Sequence, residues 1–255
     1  MTTRELIEKR KIARPDTARP GQLRPTRKRL AQAILSWNPK GGVSKSSTLA
    51  ALAYLLMCSG SRPRVIDTDV SNPDLWKSHE RVLPCECLSL EDEGGFVSIA
   101  RRLTDPDIDE EILISCGAGL VETFMENAPI LDLAAKRLER PMVVLSPIDP
   151  DIDSCNHLPD LLEAMPNATV FVVRPRHFGR PESFRAFNES KLGQAMIADN
   201  RVIDLPAIPE AIMRRFKSQR LSFAEIAALG DEAETAALDI WSPRAEAALA
   251  PLLNG

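Results

Sequence analysis

Apolar and β-branched residues gather in short, near-continuous runs at positions 33–37, 64–68, 111–115, 142–146, 169–174 and 201–205. Runs of this length without strict alternation are expected of strands covered on both faces. Helical spacing marks the stretches 45–58, 121–138 and 182–196 between them. Strands that alternate with helices every 27 to 47 residues need crossover connections, and crossovers build a parallel sheet. The pattern predicts an α/β fold, a mainly parallel sheet with helices on both faces. The final stretch, 222–253, is rich in Ala, Leu and Glu and reads as packing helices divided by Gly230 and Pro243. No repeat or linker interrupts residues 30–255, which are expected to form one domain.

Charge separates the first 29 residues from the rest. They hold ten Lys or Arg against three Asp or Glu, a balance of +7, so the remaining 226 residues carry −11 within a total of −4. Pro15, Pro20 and Pro25 and a scarcity of apolar residues make this segment a poor helix and a worse core. It is expected to be a basic, largely disordered arm. Such an arm either holds DNA without sequence preference through phosphate contacts or serves only as a solubilising extension.

Other classes are disfavoured. No apolar run approaches the roughly 18–20 residues that cross a bilayer, and the polar N-terminus lacks a secretory segment. After Arg220 there are six acidic residues and Arg244 alone as a base, the reverse of a cationic membrane-binding helix. A cytoplasmic protein without a membrane partner is expected. The five cysteines, Cys58, Cys85, Cys87, Cys116 and Cys155, are odd in number and form no C-x-x-C pair, which points to reduced thiols rather than a disulfide framework or zinc site. His79, His157 and His177 are scattered and are expected in surface or cap roles.

The chemistry lies after the first strand, in Asn38-Pro39-Lys40-Gly41-Gly42-Val43-Ser44-Lys45-Ser46-Ser47-Thr48. Paired glycines let successive N–H groups curl around one anion, and the helix that follows adds its positive end. Lys45 would neutralise the β and γ phosphates of a nucleotide, and Ser46 would offer its hydroxyl to magnesium. The plainer alternative is a glycine-containing turn with a serine cap. The general P-loop pattern is not met, because Pro39 and Ser44 occupy its two glycine positions.

What the segment does resemble is the deviant Walker A motif of the ParA/MinD superfamily of ATPases, through Lys40-Gly41-Gly42-x-x-Lys45-Ser46. The resemblance implies a P-loop NTPase-like fold that binds ATP and Mg2+ through Lys40, Gly41, Gly42, Val43, Ser44, Lys45, Ser46 and Ser47. It also implies that Lys40, the counterpart of the family's signature lysine, reaches the partner's phosphates in an ATP-bridged homodimer. Further similarity extends over most of residues 33–225. Val65-Ile66-Asp67-Thr68-Asp69 is similar to switch I, which gives Asp69 a catalytic role with the attacking water and a place near the metal, while Asp67 orients the loop. Either acid could equally be a turn residue. Leu205-Pro206-Ala207-Ile208-Pro209-Glu210-Ala211 and Ser222-Phe223-Ala224-Glu225 look like the segment flanking adenine, with Pro206 and Pro209 as an apolar wall.

Two departures stand out. Ser44 replaces a glycine, which costs on the order of 1 kcal/mol if the position requires a positive φ. Ser115, in Ile112-Leu113-Ile114-Ser115-Cys116-Gly117-Ala118-Gly119, stands where the family has a magnesium-linked aspartate. The resemblance implies an ATP-dependent, dimerising positioning switch with weak ATPase activity, in plasmid or DNA partition, plasmid stability or conjugation, working with a protein adaptor. The alternative is a degenerate, non-hydrolysing interaction protein acting as an adaptor.

Overall fold

The computed structural model describes residues 31–105 and 108–253; the basic arm at 1–29 lies outside them. Among the described residues seven strands form one sheet, β1 (Ala33–Ser36), β2 (Arg64–Asp67), β3 (Cys85–Cys87), β4 (Ile112–Ser115), β5 (Met142–Pro147), β6 (Thr169–Pro175) and β7 (Val202–Leu205). Their order is β3-β2-β4-β1-β5-β6-β7, and every pair is parallel. The α/β class and the parallel sheet agree with the sequence pattern.

Alternation along the buried strands sorts side chains into two cores. Ile34, Val65, Leu113, Val143 and Val173 join one cluster, while Ala33, Leu35, Ile66, Ile112, Ile114 and Val144 join the other. Helix α1 (Lys45–Cys58) lies in the first and is buried nearly all round, from Thr48 to Leu56. A helix without a polar face must be covered on both sides. The sheet covers one side, and α8 (Glu210–Gln219), α9 (Phe223–Leu229) and α10 (Glu232–Ala248) supply residues to the other. Helices α3 (Glu93–Leu103), α4 (Val121–Arg137) and α5 (Leu158–Ala164) cover the opposite face. The remaining helices are the short α2 (Asp74–His79), α6 (Arg185–Asn188), α7 (Lys191–Ala198) and α11 (Ala250–Leu253).

Several elements differ from the sequence reading. Strand β3 and helices α2 and α3 were not anticipated. Only three residues long, β3 is centred on Glu86, which pairs with Arg64 and Arg102, so it has no apolar run. Helix α2 begins because the buried Asp67 carboxylate accepts the Leu75 and Trp76 amides at 2.9 and 3.1 Å, a long-range cap invisible in local pattern. The single helix expected at 182–196 is two, because Ser190 caps α7 by accepting the Gly193 amide at 2.9 Å. Gly230 does separate α9 from α10, but Pro243 lies inside a continuous α10. Buried Leu238, Trp241 and Ala245 anchor that helix on both sides of the proline and offset its missing amide. His79 and His157 are buried rather than on the surface, and burial lowers both pKa values to about 4.

The outer helices are tied to α1 through one ring. Phe223 is fully buried and meets Tyr54, Phe216 and Trp241 edge-on at 6.3, 5.6 and 5.9 Å. Phe223→Ala should therefore cost about 3–5 kcal/mol in urea unfolding. Ile240→Ala, at a side chain 62% exposed, should change stability by less than about 0.5 kcal/mol. Similar losses for both would show that the outer helices do not depend on this cluster.

Candidate functional site

The sheet order reverses around β1, since the chain from β1 builds β4, β2 and β3 on one side and β5, β6 and β7 on the other. The crevice beyond the carboxyl ends of strands at such a point is where α/β proteins bind ligands. The glycine loop leaves β1 into this crevice. Asn38 fastens its start, donating through Nδ2 to the Pro147 and Ser154 carbonyls at 2.8 Å each and accepting the Lys40 amide at 2.8 Å. Gly42 and Ser44 both adopt left-handed backbone, with φ of 80° and 81°. Ser44 thus occupies the conformation that favours glycine, at a cost of about 1 kcal/mol. Its hydroxyl lies 3.2 Å from His177 Nε2. Helix α1 then starts at Lys45 with no side-chain cap, leaving its first amides to a ligand or water.

Lys45 is buried, and its ammonium donates to the Asn38 and Lys40 carbonyls at 2.7 and 2.9 Å. Neither partner carries charge. Burial lowers the Lys45 pKa to about 8, against smaller upward pulls from Cys116 and Asp69. A desolvated cation beside unpaired helix amides is a site that wants an anion, and the residues present fit a nucleotide's phosphates. Lys40 is the opposite case. It lies 2.7 Å from Asp149 and 2.8 Å from Asp151, whose hydrogen bonds raise its pKa.

Strand register sets the acidic side. Asp67, Ser115 and Ser36 are direct neighbours across β2, β4 and β1. Ser115 Oγ comes within 3.3 Å of Ser46 Oγ, so the serine that ends β4 does face the first turn of α1. Asp67 orients the loop after β2, accepting the Asp69 amide at 3.2 Å in addition to the two α2 amides. Burial nonetheless pushes its pKa up to about 6. Asp69 accepts from Ser71 Oγ at 2.6 Å and the Asn72 amide at 2.9 Å and lines the same cleft as Ser46. Among the described residues no three His, Cys, Asp or Glu side chains cluster for a metal. Magnesium would thus have two hydroxyls, one carboxylate and the phosphates themselves, a set compatible with an ion that retains several waters.

The cleft has a volume of about 520 Å³, within the range of small-molecule sites. Gly41, Gly42, Ser44, Lys45, Ser46, Ser47 and Asp69 all line it; Val43 is buried beneath the loop, and Lys40 turns aside to its two carboxylates. The apolar wall is made by Ile208, Met213 and Phe216. Pro206 and Pro209 are not in that wall: Pro209 precedes α8 at its cap, and the Pro206 carbonyl accepts Trp241 Nε1 at 3.2 Å. Ser222 and Glu225 form the capping box of α9. Sequence reasoning missed His177, Met213 and Phe216 as lining residues. The spacing of Met213 and Phe216 was a usable signal, whereas His177 had none.

No family profile matches the sequence. The chain is 30% identical over 186 residues to protein MobD of Acidithiobacillus ferrooxidans, spanning 72% of this chain and 82% of that protein. Among solved structures it is similar to the MinC:MinD cell division protein complex of Aquifex aeolicus, with a TM-score of 0.53, 16% identity, and coverage of 84% of this chain and 95% of that one. It is also similar to the septum site-determining protein MinD of Pyrococcus horikoshii, complexed with Mg-ADP, with a TM-score of 0.53, 15% identity, and coverage of 84% and 96%. At these identities the structural likeness is one of fold.

Lys45 makes the ligand-free protein sensitive to pH. Its pKa is about 8 when folded against an ordinary 10.5, so between those values the unfolded chain binds more protons and Lys45 makes stability rise with pH. Lys45→Met should be more stable than wild type at pH 7 by about 2–3 kcal/mol, with the gap closing towards pH 10. Comparing the two proteins in urea at several pH values cancels the opposing contribution of Cys85, pushed up to about 12 by burial. A gap independent of pH would show that the buried ammonium is not the titrating group.

Proposed function

This chain belongs to the ParA/MinD superfamily of deviant Walker A P-loop ATPases, and from that premise we propose that it binds ATP with magnesium in the cleft beyond β1, dimerises around the nucleotide and serves as a slow positioning switch. The observation that carries the reading is the buried, anion-less Lys45 ammonium beside the uncapped start of α1. The amides from Gly41 to Ser47 and Lys45 would hold the phosphates, and Ser46, Ser115 and Asp69 would face the metal. ATP supplies a phosphoanhydride whose hydrolysis to ADP and phosphate ends the bound state. Asp69 is the candidate for orienting the attacking water. His177 and the wall of Ile208, Met213 and Phe216 would bound the rest of the nucleotide.

Lys40 is assigned to the dimer. Its two carboxylate partners, Asp149 and Asp151, hold it within its own chain, so crossing to a second subunit's phosphates means exchanging them for a triphosphate. The working context is plasmid or DNA partition, plasmid stability or conjugative transfer, and similarity to protein MobD favours the transfer side. DNA contact through the arm at 1–29, a protein adaptor and a cytoplasmic location complete the proposal. Among the described residues no helix is long and apolar enough to cross a membrane. A second reading, a non-hydrolysing adaptor with the same fold, is favoured by Ser115, whose neutral hydroxyl faces Ser46.

Light scattering with ATP and magnesium tests the switch. Wild type should dimerise, Lys40→Ala should bind ATP yet remain monomeric, and Asp149→Asn with Asp151→Asn should dimerise at a lower ATP concentration because Lys40 is released. Equal dimerisation by wild type and Lys40→Ala would remove Lys40 from the interface.

Turnover separates the two readings. Ser115→Asp should tighten the magnesium dependence and raise ATP hydrolysis at least tenfold, about 1.4 kcal/mol in the barrier. If wild type already turns over and Ser115→Asp changes neither property, the end of β4 does not limit the chemistry.

A further inference from the structure

A second concavity, about 450 Å³ in volume, lies beyond the ends of β6 and β7, lined by Arg176, Gly179, Arg180, Asp204, Pro206, Ala207 and Arg244. It shares no lining residue with the nucleotide cleft. Its one acid is already neutralised: Asp204 takes both arms of Arg174, at 2.9 and 2.7 Å, and Asn188 Oδ1 accepts from Arg174 at 2.8 Å. Arg176, Arg180 and Arg244 are exposed, and their guanidinium groups have no hydrogen-bond or ion-pair partner among the described residues. Three unmatched cations therefore share one basin, in a chain whose residues beyond 29 carry −11.

The backbone holds these cations in place. Arg176 and Arg180 each begin a tight turn, closed by the Gly179 amide on the Arg176 carbonyl at 3.2 Å and the Ser183 amide on the Arg180 carbonyl at 2.8 Å. Gly179 joins the turns at a φ of 142°, and a Cβ there would come within 2.6 Å of Ser183 Oγ. Arg244 projects from α10, fixed by buried Trp241 and Ala245. Guanidinium forks match carboxylates two bonds at a time.

We propose that this basin is a docking site for an acidic peptide segment of a protein partner, with Arg176, Arg180 and Arg244 taking its carboxylates and Pro206 and Ala207 its side-chain methylenes. Charge selects a peptide over a nucleic acid, because an extended polyanion meets the repulsion of a domain with a net charge of −11, and a short segment meets much less of it. The assignment does not depend on the nucleotide reading.

The test uses the full-length protein and a labelled octaglutamate peptide at low salt. Arg176→Gln, Arg180→Gln and Arg244→Gln should each weaken binding about threefold, and the three together about thirtyfold, with affinity for a fluorescent ATP analogue unchanged. The side-chain Nε–Hε NMR signals of the three arginines, assigned from the single variants, should shift with the peptide, a readout separate from the basic arm. Replacing all three with Lys should recover part of the loss, since charge returns without the fork. The proposal fails if the signals stay still and the triple variant binds the peptide as wild type does. It fails equally if the substitutions weaken binding of a short DNA duplex and leave the peptide untouched.

Discussion

The Lys45 ammonium sits at the point where the sheet reverses order, desolvated and held only by the Asn38 and Lys40 carbonyls. Leaving a buried cation with neutral partners is expensive, and the group responds by loosening its proton. The surrounding architecture keeps it there. Parallel strands flank β1 on both sides, so its chain can leave only into the crevice, and α1 is packed too completely to turn its first residue back into water. Asn38 closes the arrangement by tying the loop to the segment after β5.

The two lysines of the loop divide the electrostatic work. Lys45 lacks a counter-charge, whereas Lys40, five residues earlier, has two. The loop thus presents one cation ready for an anion and one withheld. Because the Lys40 carbonyl is also a Lys45 partner, moving the backbone at Lys40 would disturb the buried ammonium. Neutralising Lys45 and freeing Lys40 are therefore mechanically linked through a single peptide unit. The segment 149–154 takes part in both, through Asp149 and Asp151 on Lys40 and through the Ser154 carbonyl on Asn38.

What could be read from the chain alone followed the range of the interactions. Six buried strands and the phosphate loop declared themselves because their signals are local: apolar runs, paired glycines and a Lys-Ser at a helix start. Helix α2 did not, since its cap is a carboxylate seven residues before its first residue, and β3 did not, since its stability comes from the Arg64, Glu86 and Arg102 pairs. The segment expected to wall the cleft does reach it, through other side chains than the two prolines. Pro206 and Pro209 shape the connection into α8, and Ile208, Met213 and Phe216, which that geometry turns inward, line the cleft. Pro243 misled for the converse reason, a strong local signal overruled by burial on both sides of it.

The two departures from the family pattern meet at the start of α1. Ser44 holds a left-handed backbone at a cost of about 1 kcal/mol, partly offset by the contact of its hydroxyl with His177. That contact joins the phosphate loop to the segment after β6, so the strained residue also bridges one side of the cleft. Ser115 stands between Asp67 and Ser36 with its hydroxyl towards Ser46, and of the carboxylates that line the cleft, Asp69, Asp74 and Glu210, Asp69 is the one that the proposal gives to the metal. On the proposed nucleotide reading, a neutral hydroxyl in place of a carboxylate at Ser115 would weaken stabilisation of charge in phosphoryl transfer, and the Ser44–His177 contact would have to open or adjust as a ligand enters. Both changes would then act in the same direction, towards a long-lived complex and away from rapid turnover.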